Sequence, residues 1–359
     1  YMEEYAKRFA EIGVNIIGGC CGTIPAHIKS IVRAVRSVQP RISEFKVKIE
    51  IPIATKTKSS LVTNPAKSLL FKKIEKKEFV ISVEIDPPKG WNVDRVLTAS
   101  KLLKENGADA INIADGPRAS ARMSPMSLAQ IIQSKVGIEA ILHYCCRDRN
   151  ILGMQSDILG AAALDINNLL LITGDPPKIG DYPDATAVFD VDSIGLTKIV
   201  ANLNMGLDIV GNEIGKPTSF FIGVGSNPVA LNIDKEIERL SLKVKAGAQY
   251  IMTQPIFEIE SFVTFFEKIK DFKIPVIAGI LPLVSYRNAE FLHNEVPGIV
   301  IPEDILNRMK SAPTSDSAKE EGIKIAQEAL LTIKEIAQGV YFMPPFGKCE
   351  SVVKIMEVL

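Results

Sequence analysis

The chain carries no net charge: Lys plus Arg and Asp plus Glu each number 42 in 359 residues. A balanced surface argues against nucleic acid or an anionic membrane as a partner, because both select for a basic face. No apolar run reaches the roughly 18 residues that a membrane span needs. No signal-like segment opens the chain. Cysteine is sparse, and five in a chain of this length do not make a disulfide framework. The reducing cytoplasm is therefore the expected compartment. Also missing is a GxGxxG pattern after the first strand candidate, which removes the dinucleotide fingerprint of an open, doubly wound sheet.

What the chain has is apolar residue in regular doses. Hydrophobic residues make up 47% and the mean hydropathy is +0.16. One barrel domain of about 250 residues would take up most of this. Eight strand-like runs recur from residue 79: FVISVE, AINIAD, EAILHYC, NLLLITGD, SFFIGVGS, YIMTQ, VIAGILP and VYFMPP. Helical patterns separate them near 92–107, 124–137, 150–165, 191–206, 231–247, 258–272, 286–296, 302–310 and 317–339, and a last one covers 350–359. Alternation of this kind means a parallel sheet, and continuously apolar strands mean cover on both faces. Eight repeats favour closure into a (β/α)8 TIM barrel. Rare polar residues stand at the C-terminal ends of the strands: Glu84, Asp115, His143, Asp175 and Gln254. That end of such a barrel builds the active site, so an enzyme is expected. The loop at 176–190 is long and rich in Pro and Asp, which favours a functional role.

The first 66 residues read differently. The chain begins at Tyr1 with helix-like sequence at once, as a piece of something longer would. Residues 1–38 read as helix, strand and helix: an amphipathic stretch ending at Gly13, the buried-strand candidate VNIIGG, and a helix opened by Pro25. Three elements cannot bury a core alone, so they read as an N-terminal remnant of a second barrel. Residues 39–66 are rich in Lys, Ser, Thr and Pro and read as a linker. A short basic helix within 67–78 leads into the barrel.

Each motif has a chemical and a plain reading. Glu84 in SVEIDPP sits at a strand end before a Pro-Pro turn. Partial desolvation there suits a general acid, and a salt-bridged rim residue is the alternative. Asp175 in LLLITGDPP follows Gly174, which permits close approach of backbone to a ligand. A carboxylate there would tune an electron-accepting ring, or simply cap a turn. His143 in ILHYCC is a ligand contact or a satisfied core histidine, and Cys145 and Cys146 are most simply small buried residues. Gln254 offers a donor and acceptor edge to a heterocycle, or a bond to a loop backbone. Tyr286, after GILPL, can stack on a ring or pack on its own helix. Cys20 and Cys21 in IGGCCGT are two thiols where zinc would need more.

IGGCCGT followed by IPAHI resembles the end of the zinc-dependent homocysteine S-methyltransferase barrel, over about residues 1–38. The resemblance implies zinc on Cys20 and Cys21 in the intact methyltransferase domain, with a third ligand from an earlier strand that this chain lacks. SVEIDPP, TGDPP, LSLKVKAGAQYIMTQPIF and GILPL with its following aromatic resemble the catalytic barrel of 5,10-methylenetetrahydrofolate reductase, over about residues 67–359. This order is similar to the bifunctional bacterial arrangement of the two enzymes. The reductase resemblance implies FAD, with NADH or NADPH as co-substrate and methylenetetrahydrofolate as substrate. It implies Glu84 as general acid and Asp175 beside flavin and pterin. His143, Thr173 and Gly174 match flavin contacts, Glu236 and Lys243 match positions near the flavin phosphate and ribitol, and Gln254 and Tyr286 match substrate contacts. Known members have Arg-Gly-Asp where this chain has Thr173-Gly174-Asp175, Asp in place of Glu236, Thr-Tyr in place of Ala114-Asp115, and a Tyr-containing segment in place of GVGSNP at 223–228. These departures gather around the flavin and leave the electron donor open between a nicotinamide and a partner protein. A flavin-free, folate-binding methyltransferase barrel is the alternative enzyme, and the sequence does not fix whether the protein forms a homo-oligomer.

Overall fold

Eight parallel strands close on themselves in chain order: β1 (Val80–Ile85), β2 (Ala110–Ile113), β3 (Glu139–Cys145), β4 (Asn168–Ile172), β5 (Phe221–Ser226), β6 (Tyr250–Pro255), β7 (Val276–Ile280) and β8 (Gly339–Phe342). β8 returns to pair with β1. The computed structural model describes residues 2–36 and 67–359, apart from positions 12, 15 and 297. The linker expected at 39–66 lies outside these.

Helices α4 (Asp94–Glu105), α5 (Pro125–Val136), α6 (Ile151–Ala163), α7 (Ser193–Asn204), α8 (Ile233–Lys245) and α9 (Ile259–Ile269) follow β1 to β6 one by one. Three helices follow β7: α10 (Tyr286–Glu295), α11 (Glu303–Ser311) and α12 (Ser315–Lys334). Helix α13 (Cys349–Met356) closes the ring. All ten lie where the periodicity puts them, with ends shifted by a few residues. Each strand turns alternate residues to two cores. Outward residues such as Val83, Ile113, Leu169 and Val340 join the core between barrel and helices. Inward residues such as Val80, Ile141, Leu170, Phe221 and Tyr250 fill the lumen.

Helix α3 (Leu69–Glu75) plugs the N-terminal end of that lumen with Leu70 and Ile74. Its first free amides donate to Glu139 on β3, from Leu69 at 2.7 Å and Leu70 at 2.9 Å. A carboxylate there satisfies orphan donors and complements the helix dipole. Lys73 pairs with Asp109, which also accepts from the Ile81 amide at 2.8 Å. With this end sealed, the opposite end is the lumen's mouth.

Among residues 2–36, α1 (Met2–Glu11) packs on α2 (Pro25–Arg36) through Ala6, Ile31 and Ala34. The strand expected at VNIIGG does not form: no strand is assigned among its described residues, and Ile16 is 91% exposed. A strand needs a neighbour for its backbone groups, and none of the described strands lies alongside. The helix pair meets the barrel at α10, where Arg33 donates to the His293 carbonyl at 2.7 Å and Lys29 lies 3.4 Å from Glu295.

Candidate active site

Strand alternation decides which polar groups enter the mouth. On β1 the inward positions are Val80, Ser82 and Glu84. Glu84 is in register with Asn112 on β2, and Ser82 with Tyr341 on β8. His143 is the inward residue near the end of β3, beside Leu170. Of these, Glu84, Tyr341, His143 and Asn112 converge. Tyr341 donates its hydroxyl to Oε2 of Glu84. The Tyr341 ring meets His143 edge-on with centroids 6.1 Å apart. His143 Nε2 lies 3.1 Å from Asn112 Oδ1.

Burial sets the electrostatics. Crowding by the lumen wall pushes the Glu84 carboxyl up to about 7; the Tyr341 hydroxyl opposes this and nearby Asp86 adds to it. Desolvation alone takes His143 down to about 3, so its ring is neutral. Glu84 thus holds a proton in the range where a general acid works best, beside an imidazole that does not compete for it.

The loop after β4 supplies Thr173, Gly174 and Asp175. Gly174 has φ +92°, and an added Cβ would stand 2.9 Å from Cβ of Cys145, so only glycine fits. Asp175 reaches solvent, yet its carboxyl is raised by the crowding around it and held back by Arg147 and the Arg118 amide. Arg147 is buried, grips Asp148 at 2.7 Å and donates to the carbonyls of Gly116 at 3.3 Å and Asp175 at 3.4 Å. Thr173 Oγ1 accepts the Ser193 amide at 3.2 Å, tying the loop to α7. The 176–190 loop is stitched to the segment just after β3 through Val188 N to Arg147 O at 2.8 Å and Phe189 N to Cys146 O at 3.2 Å. It helps line a cavity of about 430 Å³ with the loops after β2 and β3.

The remaining candidates divide. Gln254 shares the inward parity of Tyr250 and Met252 and is exposed at the mouth, beside an irregularity in the β6–β7 register. Lys243 is buried and donates to the Gly225 carbonyl at 2.7 Å, while Glu236 accepts from Ser226 at 2.8 Å and the Asn227 amide at 3.0 Å. Both therefore brace the end of β5. Tyr286 opens α10 and packs on an outer cluster with Leu283 and Ala289, with Lys310 over its ring at 5.8 Å. No hydrogen bond or ring contact joins it to the Glu84 group among the described residues. Asp115 accepts from the Cys145 amide and from Arg149, each at 3.0 Å, and so fixes the end of β3. Cys145 and Cys146 are buried free thiols, as expected.

Cys20 and Cys21 are exposed. Among the described residues one ligand-type trio lies close enough for a single ion, Asp115 with Cys145 and Asp148, and Arg149 and Arg147 already pair with its carboxylates. No third ligand joins the two N-terminal cysteines, so zinc does not fit there among the described residues.

Tyr341, Asn112 and Arg147 were not among the sequence candidates. The first two had a signal: each is a polar group at an inward position of a strand otherwise apolar on that side. Arg147 had none, because its role depends on which loop folds over it.

The methylenetetrahydrofolate reductase family model matches residues 69–359, nearly the whole barrel. The chain belongs to the methylenetetrahydrofolate reductase family. The homocysteine S-methyltransferase model matches residues 1–35. Curated relatives include methylenetetrahydrofolate reductase 1 of Schizosaccharomyces pombe, 22% identical over 74% of this chain and 43% of that protein. A probable methylenetetrahydrofolate reductase (NADPH) of Caenorhabditis elegans is 23% identical over 69% of this chain and 37% of that protein. The chain thus spans less than half the length of these two. A 5,10-methylenetetrahydrofolate reductase of Salmonella typhimurium is 24% identical over 58% of this chain and 67% of its own length. The barrel is shared with a Clostridium thermocellum protein described as binding two copies of 5-methyl-5,6,7,8-tetrahydrofolic acid, at TM-score 0.55 and 17% identity, covering 81% of this chain and 97% of that one.

Proposed function

We propose that this reductase-family barrel reduces 5,10-methylenetetrahydrofolate to 5-methyltetrahydrofolate, with a reduced nicotinamide as the electron source and FAD as carrier. The observation that carries this is Glu84: a carboxyl inside the mouth, raised to about 7, on the strand end where the family resemblance puts the general acid. We further propose that residues 1–38 are methyltransferase-derived, that 39–66 link them to the barrel at 67–359, and that the cytoplasm is the site of action.

The chain's residues suit a flat, polar-edged group on two counts. Among the described residues Asn112 Nδ2 is buried without a partner, and Gly225 leaves the β5 side open, where an added Cβ would meet one atom, at 3.9 Å. His143, Thr173, Gly174 and Asp175 would hold FAD there, with Lys243 and Glu236 bracing the β5 end beside it. When bound, FAD would supply the hydride chemistry between a nicotinamide and the folate carbon. Glu84 gives its proton to the amine nitrogen that leaves as the imidazolidine ring opens, and the resulting iminium carbon is the hydride acceptor. Gln254 orients the pterin edge at the mouth. Asp175 sets the local potential with its negative charge, and Arg147 keeps that loop in place.

The test is an absorption spectrum of the purified protein, followed by anaerobic NADH and then NADPH. Flavin bands that bleach with either support the reading and identify the donor. Bands that persist point to a partner protein as electron source. No flavin after reconstitution with FAD overturns the reading in favour of a flavin-free, folate-binding methyltransferase. With flavin present, Glu84→Gln should abolish folate reduction and spare reduction by nicotinamide; equal loss of both half-reactions would refute the role of Glu84.

A further inference from the structure

The proposed proton donor is not a free carboxyl. Oε2 of Glu84 is taken by the Tyr341 hydroxyl, and no other hydrogen bond reaches this carboxyl among the described residues. Tyr341 is 5% exposed. One edge of its ring meets His143. Its register partner on β7 is Gly279, which brings no side chain of its own, and an added Cβ at Gly279 would strike the Thr253 carbonyl at 2.7 Å and Met343 at 2.8 Å. The phenol hydroxyl points to β1, where Glu84 accepts it. A phenol that donates to one oxygen of a carboxylic acid leaves the acid's proton to the other.

We infer that Tyr341 is a positioning residue for the proton donor: its hydroxyl occupies Oε2 of Glu84, so that the transferable proton sits on Oε1, and it sets the pH at which that proton is held. This rests on the reductase reading for its use in catalysis, but the hydrogen bond acts on Glu84 whether or not folate is reduced. The groups that face the pair are few. β8 brings Tyr341, and β3 brings neutral His143. β2 brings uncharged Asn112. The turn after β1 brings Asp86, which lies 3.9 Å from Arg122 of the loop after β2. Of these, Tyr341 alone donates to the carboxyl.

The donated bond favours the ionised carboxylate, so removing it must strengthen the hold on the proton. The experiment is a 13C NMR titration of the Glu84 carboxyl in the full chain, assigned by its loss in Glu84→Gln. Tyr341→Phe keeps the ring and its packing. It should move the midpoint upward by about one pH unit, the scale of a hydrogen bond to a charged group. In the flavin-loaded protein the alkaline limb of folate reduction should move with it, and reduction by nicotinamide should not move. An unchanged carboxyl midpoint overturns the inference. Should Tyr341→Phe fail to fold, 3-fluorotyrosine placed at 341, a more acidic phenol, should move the midpoint downward, and no movement again overturns it. The titration needs no turnover. A protein that reduces no folate would sink the proposed function and leave this result standing.

Discussion

His143 and Asn112 face each other inside the barrel, with Nε2 of one 3.1 Å from Oδ1 of the other. An amide oxygen only accepts, so Nε2 carries the imidazole proton and Nδ1 keeps its lone pair. Burial brings His143 down to about 3 from the ordinary 6.5. The ring should therefore show one neutral tautomer by 15N NMR across about pH 5 to 8, where an ordinary histidine changes charge. Asn112→Asp sets a carboxylate against the ring and should pull its titration up into that range. A wild-type ring that titrates near the ordinary value would show that it is open to water.

The same pair shows how much was legible in the sequence. Strand and helix order, closure, and the strand ends bearing Glu84, His143 and Gln254 follow from periodicity, because each strand and each helix face is a local pattern. Glu84 was found because a carboxylate in an apolar run is conspicuous. Its partner Tyr341 lies 257 residues away and meets it only because β8 closes onto β1. Local pattern carries no information on that contact. Lys243 and Glu236 were placed on the correct helix, but their bonds to Gly225, Ser226 and Asn227 depend on how α8 leans on β5. VNIIGG shows the converse: an apolar run predicts a strand only where a sheet edge is there to receive it.

Glu84 should make the folded protein sensitive to pH. Its carboxyl rises from 4.5 to about 7 on folding. The folded state thus holds a proton that the unfolded chain has released. This contribution is fully present below 4.5 and is lost as pH rises through about 7. Glu84→Gln removes the ionisation. It should raise the thermal midpoint at pH 8 by a few degrees, about 1 to 3 kcal/mol after allowing for residual solvent access. The gain should vanish toward pH 4.5. A variant with the same advantage at both pH values would mean that packing, not ionisation, is responsible.

Tyr250 lies across β5 because residue 223 has no side chain. A Cβ added to Gly223 would stand 2.2 Å from Cζ of the Tyr250 ring, which stacks on Phe221 with centroids 4.5 Å apart. The hydroxyl then reaches the Leu169 carbonyl at 2.8 Å. Gly223→Ala should cost about 1 to 3 kcal/mol, the range for overpacking a dense core. Tyr250→Leu opens the space, so the double variant should cost clearly less than the sum of the singles in denaturant unfolding. Additive losses would mean that the ring finds another way past the new methyl.

Arg149 is the joint on which the end of β3 depends. Its Nη1 lies 3.0 Å from Asp115, its Nε lies 2.7 Å from Asp157, and its guanidinium covers the Tyr144 ring at 4.8 Å. Asp115 is almost fully buried and also accepts the Cys145 amide. Removing the arginine therefore strands a carboxylate with one backbone donor, which is more costly than losing a surface pair. Arg149→Ala should cost about 3 kcal/mol, toward the low end for a buried pair because Arg149 is 25% exposed. Arg149→Lys keeps the charge but not the fork that spans two carboxylates, so it should fall between. Removing both charges with Asp115→Asn and Arg149→Met should cost less than Arg149→Ala alone. Chemical denaturation of the four proteins decides it. A loss below about 0.5 kcal/mol for Arg149→Ala would place the pair among ordinary surface contacts. The effect should also reach the mouth: Gly174 packs on Cys145, so loosening the end of β3 frees the loop that carries Asp175.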